Sequence, residues 1–182
     1  MATGKHNLNG ELNSLLKELH LPTFRQYCQE FAQEAISEDY SYQQYLLELC
    51  RRETEQRRLR RVERLLKSSK LPLEKSLDNF DLKRLPMKIR QQTKTILEGS
   101  FLDRTENILA FGKPGSGKTH LLCAICRELA CQGRTVYFTT CDFMVQELLR
   151  AKRDLQLDKL LKKLSRFAAV LIDDFGYVKR DR

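Results

Sequence analysis

The chain has 182 residues, of which 41% are hydrophobic and 31% charged, a mix that suits one globular domain with an appendage and a highly charged surface. No apolar run approaches the ~20 residues needed to span a bilayer. Met1–Gly10 is polar and lacks the apolar core of a signal peptide, so a cytoplasmic protein with no membrane partner is expected. The net charge of +9, from 33 Lys and Arg against 24 Asp and Glu, favours polyanionic partners without specifying one.

Residues 11–70 carry helical signals and almost no strand signals. Leu12, Leu15, Leu16 and Leu19 recur at helical spacing. Pro22 marks a new helix start, continued by Phe24, Tyr27 and Phe31. Ser41 with Gln44 has the spacing of a capping box, and Tyr42, Tyr45, Leu46 and Leu49 form the next stripe. With no Gly or Pro between Pro22 and Pro72, the helix begun near Ser41 is expected to run to about Lys67. Its second half, Arg51–Lys70, holds nine basic and three acidic residues. That segment reads either as a helix laid on DNA phosphate, with Arg57, Arg58, Arg60 and Arg61 as contacts, or as a solvated face of Glu–Arg pairs. No aromatic residues interleave with the arginines, so base stacking is not indicated.

Residues 71–100, with Pro72, Pro86 and Gly99, read as a linker with short helices such as Leu85–Leu97. The pattern then changes. Asn107–Phe111 (NILAF) reads as a buried strand. A glycine-rich loop follows, then a helix to about Cys131 with Gly133 as its stop. Thr135–Thr139 reads as a second strand, Asp142 as the cap of the next helix, Leu155–Leu164 as a further helix, and Ala168–Ile172 as a third buried strand ending in Asp173-Asp174. Strands alternating with helices imply a parallel sheet covered on both faces. Three segments result: a helical module at 1–70, a linker at 71–100 and a nucleotide-binding part at 101–182.

Gly112-Lys113-Pro114-Gly115-Ser116-Gly117-Lys118-Thr119 fits G-x-x-x-x-G-K-[ST] at every fixed position, between a strand and a helix. The glycines let backbone N–H groups curve around phosphate, and the helix N-terminus adds positive potential. Lys118 supplies a point charge for the β- and γ-phosphates, and Thr119 a hydroxyl for Mg²⁺. Asp173, at the carboxyl end of an apolar strand, is expected to hold Mg²⁺ through water, and Asp174 to polarise the attacking water as general base. ATP and Mg²⁺ are thus the expected cofactors. His120, next after Thr119, is counted with the loop among the cofactor-binding residues, although its place on the helix reads as packing or a second layer around the site. His6 and His20 have no metal-ligand partners at useful spacing. Of the six cysteines, Cys123 and Cys126 have CxxC spacing, but no second pair completes a zinc site, and they read as buried reduced thiols.

GKPGSGKTHL, then Gly133–Phe138, then LIDDFGY at Leu171–Tyr177 resemble the IstB-like branch of AAA+ ATPases, with DnaC-type helicase loaders as near relatives. LKELHLPTF at Leu16–Phe24, the Glu53–Arg64 run and LPLEKSLDNFD at Leu71–Asp81 extend the resemblance from about Leu12 to Asp181. It implies an AAA+-like P-loop fold, a three-layer αβα parallel sheet behind an all-helical N-terminal module. It also implies an ATP-dependent helper of DNA transposition that self-assembles on duplex DNA and serves a transposase. By the same resemblance the sensor strand, the arginine finger and the lid belong beyond Arg182, so a truncated product with an incomplete sheet and little hydrolysis is expected. Two alternatives stand beside it: a helicase loader, and a non-enzymatic DNA- or protein-binding remnant.

Overall fold

The computed structural model describes residues 3–72 and 74–175, with side chains from Leu8 onward. Gly176, Tyr177 and Asp181 of the motifs above, and Leu73 of the linker, lie outside the described residues. The chain forms two compact units, Met1–Arg61 and Val62–Arg182, whose boundary falls inside one continuous helix.

The first unit is helical. Helix α1 (Thr3–Glu18) ends where His20 turns left-handed at φ 54°. There the Leu21 N–H reaches Leu16 O at 2.9 Å and the His20 N–H reaches Lys17 O at 3.1 Å, so the last carbonyls are satisfied by the turn itself. Helix α2 (Pro22–Ser37) starts with proline at its first position and has no side-chain cap of its own. Helix α3 (Tyr42–Ser69) begins at the expected capping box: the Ser41 N–H donates to Gln44 Oε1 at 2.8 Å, and the Gln44 N–H to Ser41 Oγ at 3.2 Å. It runs 28 residues and stops at Lys70, which turns left-handed at φ 58° ahead of Pro72.

What α2 lacks at its start, α3 supplies. Glu53, buried at 4% exposure, accepts the Thr23 N–H at 2.9 Å, placing a carboxylate on the positive end of α2. Arg57 closes the arrangement, giving Nε to Glu53 Oε1 at 2.6 Å and Nη2 to His20 O at 2.7 Å. The turn between α1 and α2 is thereby stitched to α3. Leu16 and Leu49 are the buried apolar residues of this unit.

The second unit is mixed α/β. The linker holds a short 3₁₀ turn (Leu82–Arg84), then α4 (Met87–Leu97) and α5 (Ser100–Asp103). Helix α4 starts two residues later than expected, because extended Pro86 serves as its N-cap. Helix α6 (Lys118–Cys131) follows the glycine loop. It ends as expected at Gly133, φ 90°, with Gly133 N–H on Ala130 O and Arg134 N–H on Leu129 O. Strand β1 (Val136–Thr140), helix α7 (Cys141–Arg153), helix α8 (Leu157–Leu164) and strand β2 (Ala169–Asp173) complete the described chain. Asp142 is not the cap of α7: Thr140 is, its hydroxyl accepting the Phe143 N–H, while Asp142 lies in the first turn. Helix α8 starts after Leu155, which is left-handed at φ 54° and so belongs to the connection.

Strands β1 and β2 pair in parallel, Val136 opposite Ala169 through Thr140 opposite Asp173. Val136 and Tyr137 are adjacent, point to opposite faces, and are both buried, so β1 is covered on both sides. Val136 joins Leu71, Cys123, Ile125, Cys126, Leu129 and Ala130 in the core, while Tyr137 stacks on Phe167 with the Lys70 ammonium 5.3 Å from its ring centre. The first of the three expected strands does not form. Asn107–Phe111 is irregular, and Leu109 and Phe111 are 72% and 88% exposed. A buried strand needs neighbours for its backbone groups. Among the described residues the sheet has two strands, β1 and β2, and no third joins them.

Burial drives the Cys126 thiol up to about 12, with Cys123 beside it adding to the effect. Burial likewise raises Cys123 to about 11, reinforced by the Asp173 and Glu74 carboxylates and partly offset by Lys75. At neutral pH both are neutral core residues. Iodoacetamide followed by peptide mass spectrometry should modify exposed Cys50 in the native protein and leave Cys123 and Cys126 untouched until denaturant is added. Equal native labelling of all three would mean that α6 is not packed as described.

For Glu53, burial acts to raise the pKa, but the hydrogen bonds from Arg57 and Thr23 outweigh it and leave the carboxyl below its ordinary 4.5. A depressed carboxylate stabilises the fold fully above its unfolded value and loses that contribution as pH falls through the lowered folded value. Glu53→Ala should therefore cost about 1–3 kcal/mol at neutral pH, the cost of losing a charged hydrogen bond. The difference from wild type should close in acid; urea denaturation followed by far-UV circular dichroism at both pH values reads it.

Candidate functional site

The glycine loop and the end of β2 meet at α6. Gly117 is the N-cap of α6 at φ 86°, and no side chain caps the helix. The first-turn N–H groups of an α-helix have no intrahelical acceptor, and nothing acidic stands in this first turn to meet them. An uncapped helix N-terminus preceded by a glycine-rich loop is an arrangement that suits an anion. Gly115 is also left-handed, at φ 74°, a conformation that favours glycine. A Cβ at Gly112 would come within 3.1 Å of Ser116 Oγ, so a side chain there would displace that hydroxyl.

The loop already holds its lysine. Lys118 Nζ donates to Gly112 O at 2.9 Å and to Lys113 O at 3.0 Å, and Lys113 O also accepts the Ser116 N–H at 3.2 Å. The ammonium is thus set over the loop by the backbone that curves beneath it. Gly112–Ser116 are exposed, and Gly117–His120 are half-buried as α6 enters the core.

Thr119 joins the two motifs. Its Oγ1 donates to Asp173 Oδ1 at 2.8 Å across 54 residues of sequence. The sheet register explains the meeting, since Asp173 is the last residue of β2 and lies opposite Thr140 at the carboxyl ends of both strands. A hydroxyl and a carboxylate oxygen side by side are hard donors of the kind Mg²⁺ takes alongside water. The residues present therefore fit a magnesium–nucleotide complex, with the loop N–H groups and Lys118 for phosphate and the Thr119–Asp173 pair for the metal. Asp174 follows, exposed and left-handed at φ 54°, a conformation aspartate tolerates better than most residues. His120 turns away from the loop. Its Nε2 lies 3.0 Å from Ser76 O, and its ring meets Phe80 edge-on at 5.1 Å between centroids.

The four arginines singled out on α3 are not equivalent. Arg57 is committed to Glu53 and to His20 O, as described above. Arg58 makes a two-pronged pair with Glu55, both nitrogen–oxygen distances 2.9 Å. The structure also gathers a mixed-charge surface with a basic excess that the sequence reading passed over. Helices α7 and α8 bring Arg150, Lys159, Lys162, Lys163 and Arg166 around one open depression, together with Glu147, Asp154 and Asp158, and Lys163 pairs with Glu147 at 3.9 Å. The signal was present as basic residues recurring through 150–166, but their convergence depends on the turn at Leu155. Among the described residues no cluster of three or more His, Cys, Asp or Glu could hold a metal by itself, and no helix is long and apolar enough to cross a membrane.

The family model for IstB-like ATP-binding proteins matches residues 14–182. The chain belongs to that family. A protein of Geobacillus stearothermophilus, named as an ATP-binding protein of insertion sequence IS5376, is 36% identical over 90% of this chain and 65% of its own length. A Sinorhizobium fredii protein, also named for ATP binding in an insertion sequence, is 37% identical over 97% of this chain and 60% of its own. The replicative helicase loader DnaC of Escherichia coli is 37% identical, but over 38% of this chain and 31% of its own length. The chain thus spans about three fifths to two thirds of the insertion-sequence relatives. The parallel strands, the loop before α6 and the carboxylate at the end of β2 agree with the P-loop fold of the family.

Proposed function

We propose that this chain binds ATP with Mg²⁺ at Gly112–Thr119 and acts in the cytoplasm as a helper of DNA transposition, contacting duplex DNA, other copies of itself and a transposase. The observation that carries the nucleotide reading is the 2.8 Å hydrogen bond between Thr119 and Asp173, which unites phosphate loop and metal carboxylate in one site. The transposition reading rests on relatives whose names place them in insertion sequences and whose similarity runs over 90% or more of the chain. The helicase-loader likeness covers less than half of it.

The geometry supports the following roles. The backbone N–H groups of the loop and Lys118 bind and neutralise phosphate oxygens. Thr119 and Asp173 would hold Mg²⁺, whose charge would offset that of the phosphates. Asp174, just past the strand, orients a water and takes its proton. Lys118→Ala removes the point charge and should abolish Mg-ATP binding in a fluorescent-nucleotide titration. Equal affinity in the variant and the wild type would remove the nucleotide assignment.

DNA contact is proposed for Arg58, Arg60 and Arg61 on α3, and independently for Lys159, Lys162 and Arg166 at α8. Arg57 takes part in the fold, and its removal would confound folding with binding. Each lost phosphate contact flattens the plot of log affinity against log salt by about 0.9. Neutralising the α3 set should thus reduce the slope by up to about 2.7, measured by fluorescence anisotropy on random-sequence duplex. An unchanged slope would mark these arginines as a solvated face, and the same measurement on the α8 set tests that surface separately.

A further inference from the structure

The linker does not merely lead to the phosphate loop; part of it is built against the loop's last residue. Phe80 stands so close to Gly117 that a Cβ there would meet its ring at 3.0 and 3.4 Å. Gly117 is the residue from which α6 starts, held at φ 86°. On the next face of α6, His120 Nε2 lies 3.0 Å from Ser76 O. A carbonyl oxygen only accepts, so Nε2 carries the hydrogen and donates. Phe80 and His120 also touch each other, edge to face.

The linker carries hydrogen bonds of its own where it makes these contacts. Ser76 is buried, its Oγ accepts the Asn79 N–H, and Asn79 Nδ2 donates to Glu74 O at 3.0 Å. The Phe80 N–H turns back to Leu77 O at 3.1 Å. Asp81 then caps the 3₁₀ turn through the Lys83 N–H. Residues 74–81 therefore form a self-supported turn with two attachments, a ring against the loop and a carbonyl on the helix that the loop feeds.

We propose that Phe80 and His120 are positioning residues that couple phosphate binding in the loop to the linker at 74–81. Neither is assigned a contact with nucleotide. Rotation of the peptides at Ser116–Gly117, the adjustable part of the loop, moves backbone into the Phe80 ring. A shift of the first turn of α6 pulls on Ser76 through His120. Filling the loop fixes both, so the linker tightens when phosphate is present. This rests on the P-loop reading of Gly112–Thr119.

Hydrogen–deuterium exchange of the whole chain, with and without Mg-ATP, tests the proposal. In wild type, Mg-ATP should slow exchange both in the loop (112–121) and in the linker (74–81). The linker effect should be roughly 2- to 12-fold, the range set by one net hydrogen bond. His120→Leu fills space without donating, and should keep the loop response while losing most of the linker response. His120→Gln places an amide N–H where Nε2 stands, and should restore it. Phe80→Ala should also uncouple the linker. Loop protection with no change in the linker of wild type overturns the coupling and leaves the nucleotide site standing. A linker response in His120→Leu equal to wild type overturns the role of His120. Absence of loop protection in wild type, or its persistence in Lys118→Ala, overturns the P-loop reading and the coupling with it. Because the wild-type linker response is itself decisive, a variant that fails to fold does not rescue the proposal.

Discussion

Helix α6 is under two opposing demands. Its body is the centre of the second unit, with Cys123, Ala124, Leu129 and Ala130 fully buried. Its N-terminus must stay uncapped and wet if the first-turn N–H groups are to meet an anion. The sequence meets both within a few residues by changing character from glycines and lysine to small apolar side chains. Burial of the body fixes the helix axis, and the axis fixes where the donors point. The packing of Leu71, Val136 and the partly buried Leu65, Leu66 and Ile96 around α6 is therefore part of the site.

The Thr119–Asp173 contact depends on the same helix. Parallel pairing of β1 and β2 carries Asp173 to the sheet end, and α6 packs against both strands, so the hydroxyl and carboxylate meet without any local contact between their segments. The two buried thiols lie on the body of that helix. Their raised pKa values mark a dry interior immediately behind a polar mouth.

Much of this was legible in the residue order. The capping box at Ser41, the proline start of α2 and the glycine stop at Gly133 act through neighbours a few positions away and appear where expected; the apolar run into Asp173 forms its strand but not a buried one, since no residue of β2 is buried and Val170 is 37% exposed. What failed was non-local. Asn107–Phe111 has the composition of a strand, but a strand exists only with a partner, and composition names none. Asp142 is a good capping residue beside a better-placed Thr140. The arginines of α3 looked alike because charge along a chain does not show that one of them closes on His20 and Glu53. Phe80 and His120 stood 40 residues apart in sequence, and nothing local paired them.

The Glu53–Arg57 stitch carries a consequence for how related chains diverge. Loss of Arg57 removes the cation that balances buried Glu53, and loss of Glu53 removes the acceptor of Arg57 Nε; replacing both removes the unbalanced charge but still strands the Thr23 N–H and His20 O. Substitutions at 53 and 57 are thus expected to be epistatic, each tolerated mainly in the company of the other. Arg58 pairs instead with exposed Glu55 on its own helix, a contact of the kind that contributes little to stability. Two adjacent arginines on one helix are thus expected to covary with different partners, Arg57 with Glu53 and Arg58 with Glu55.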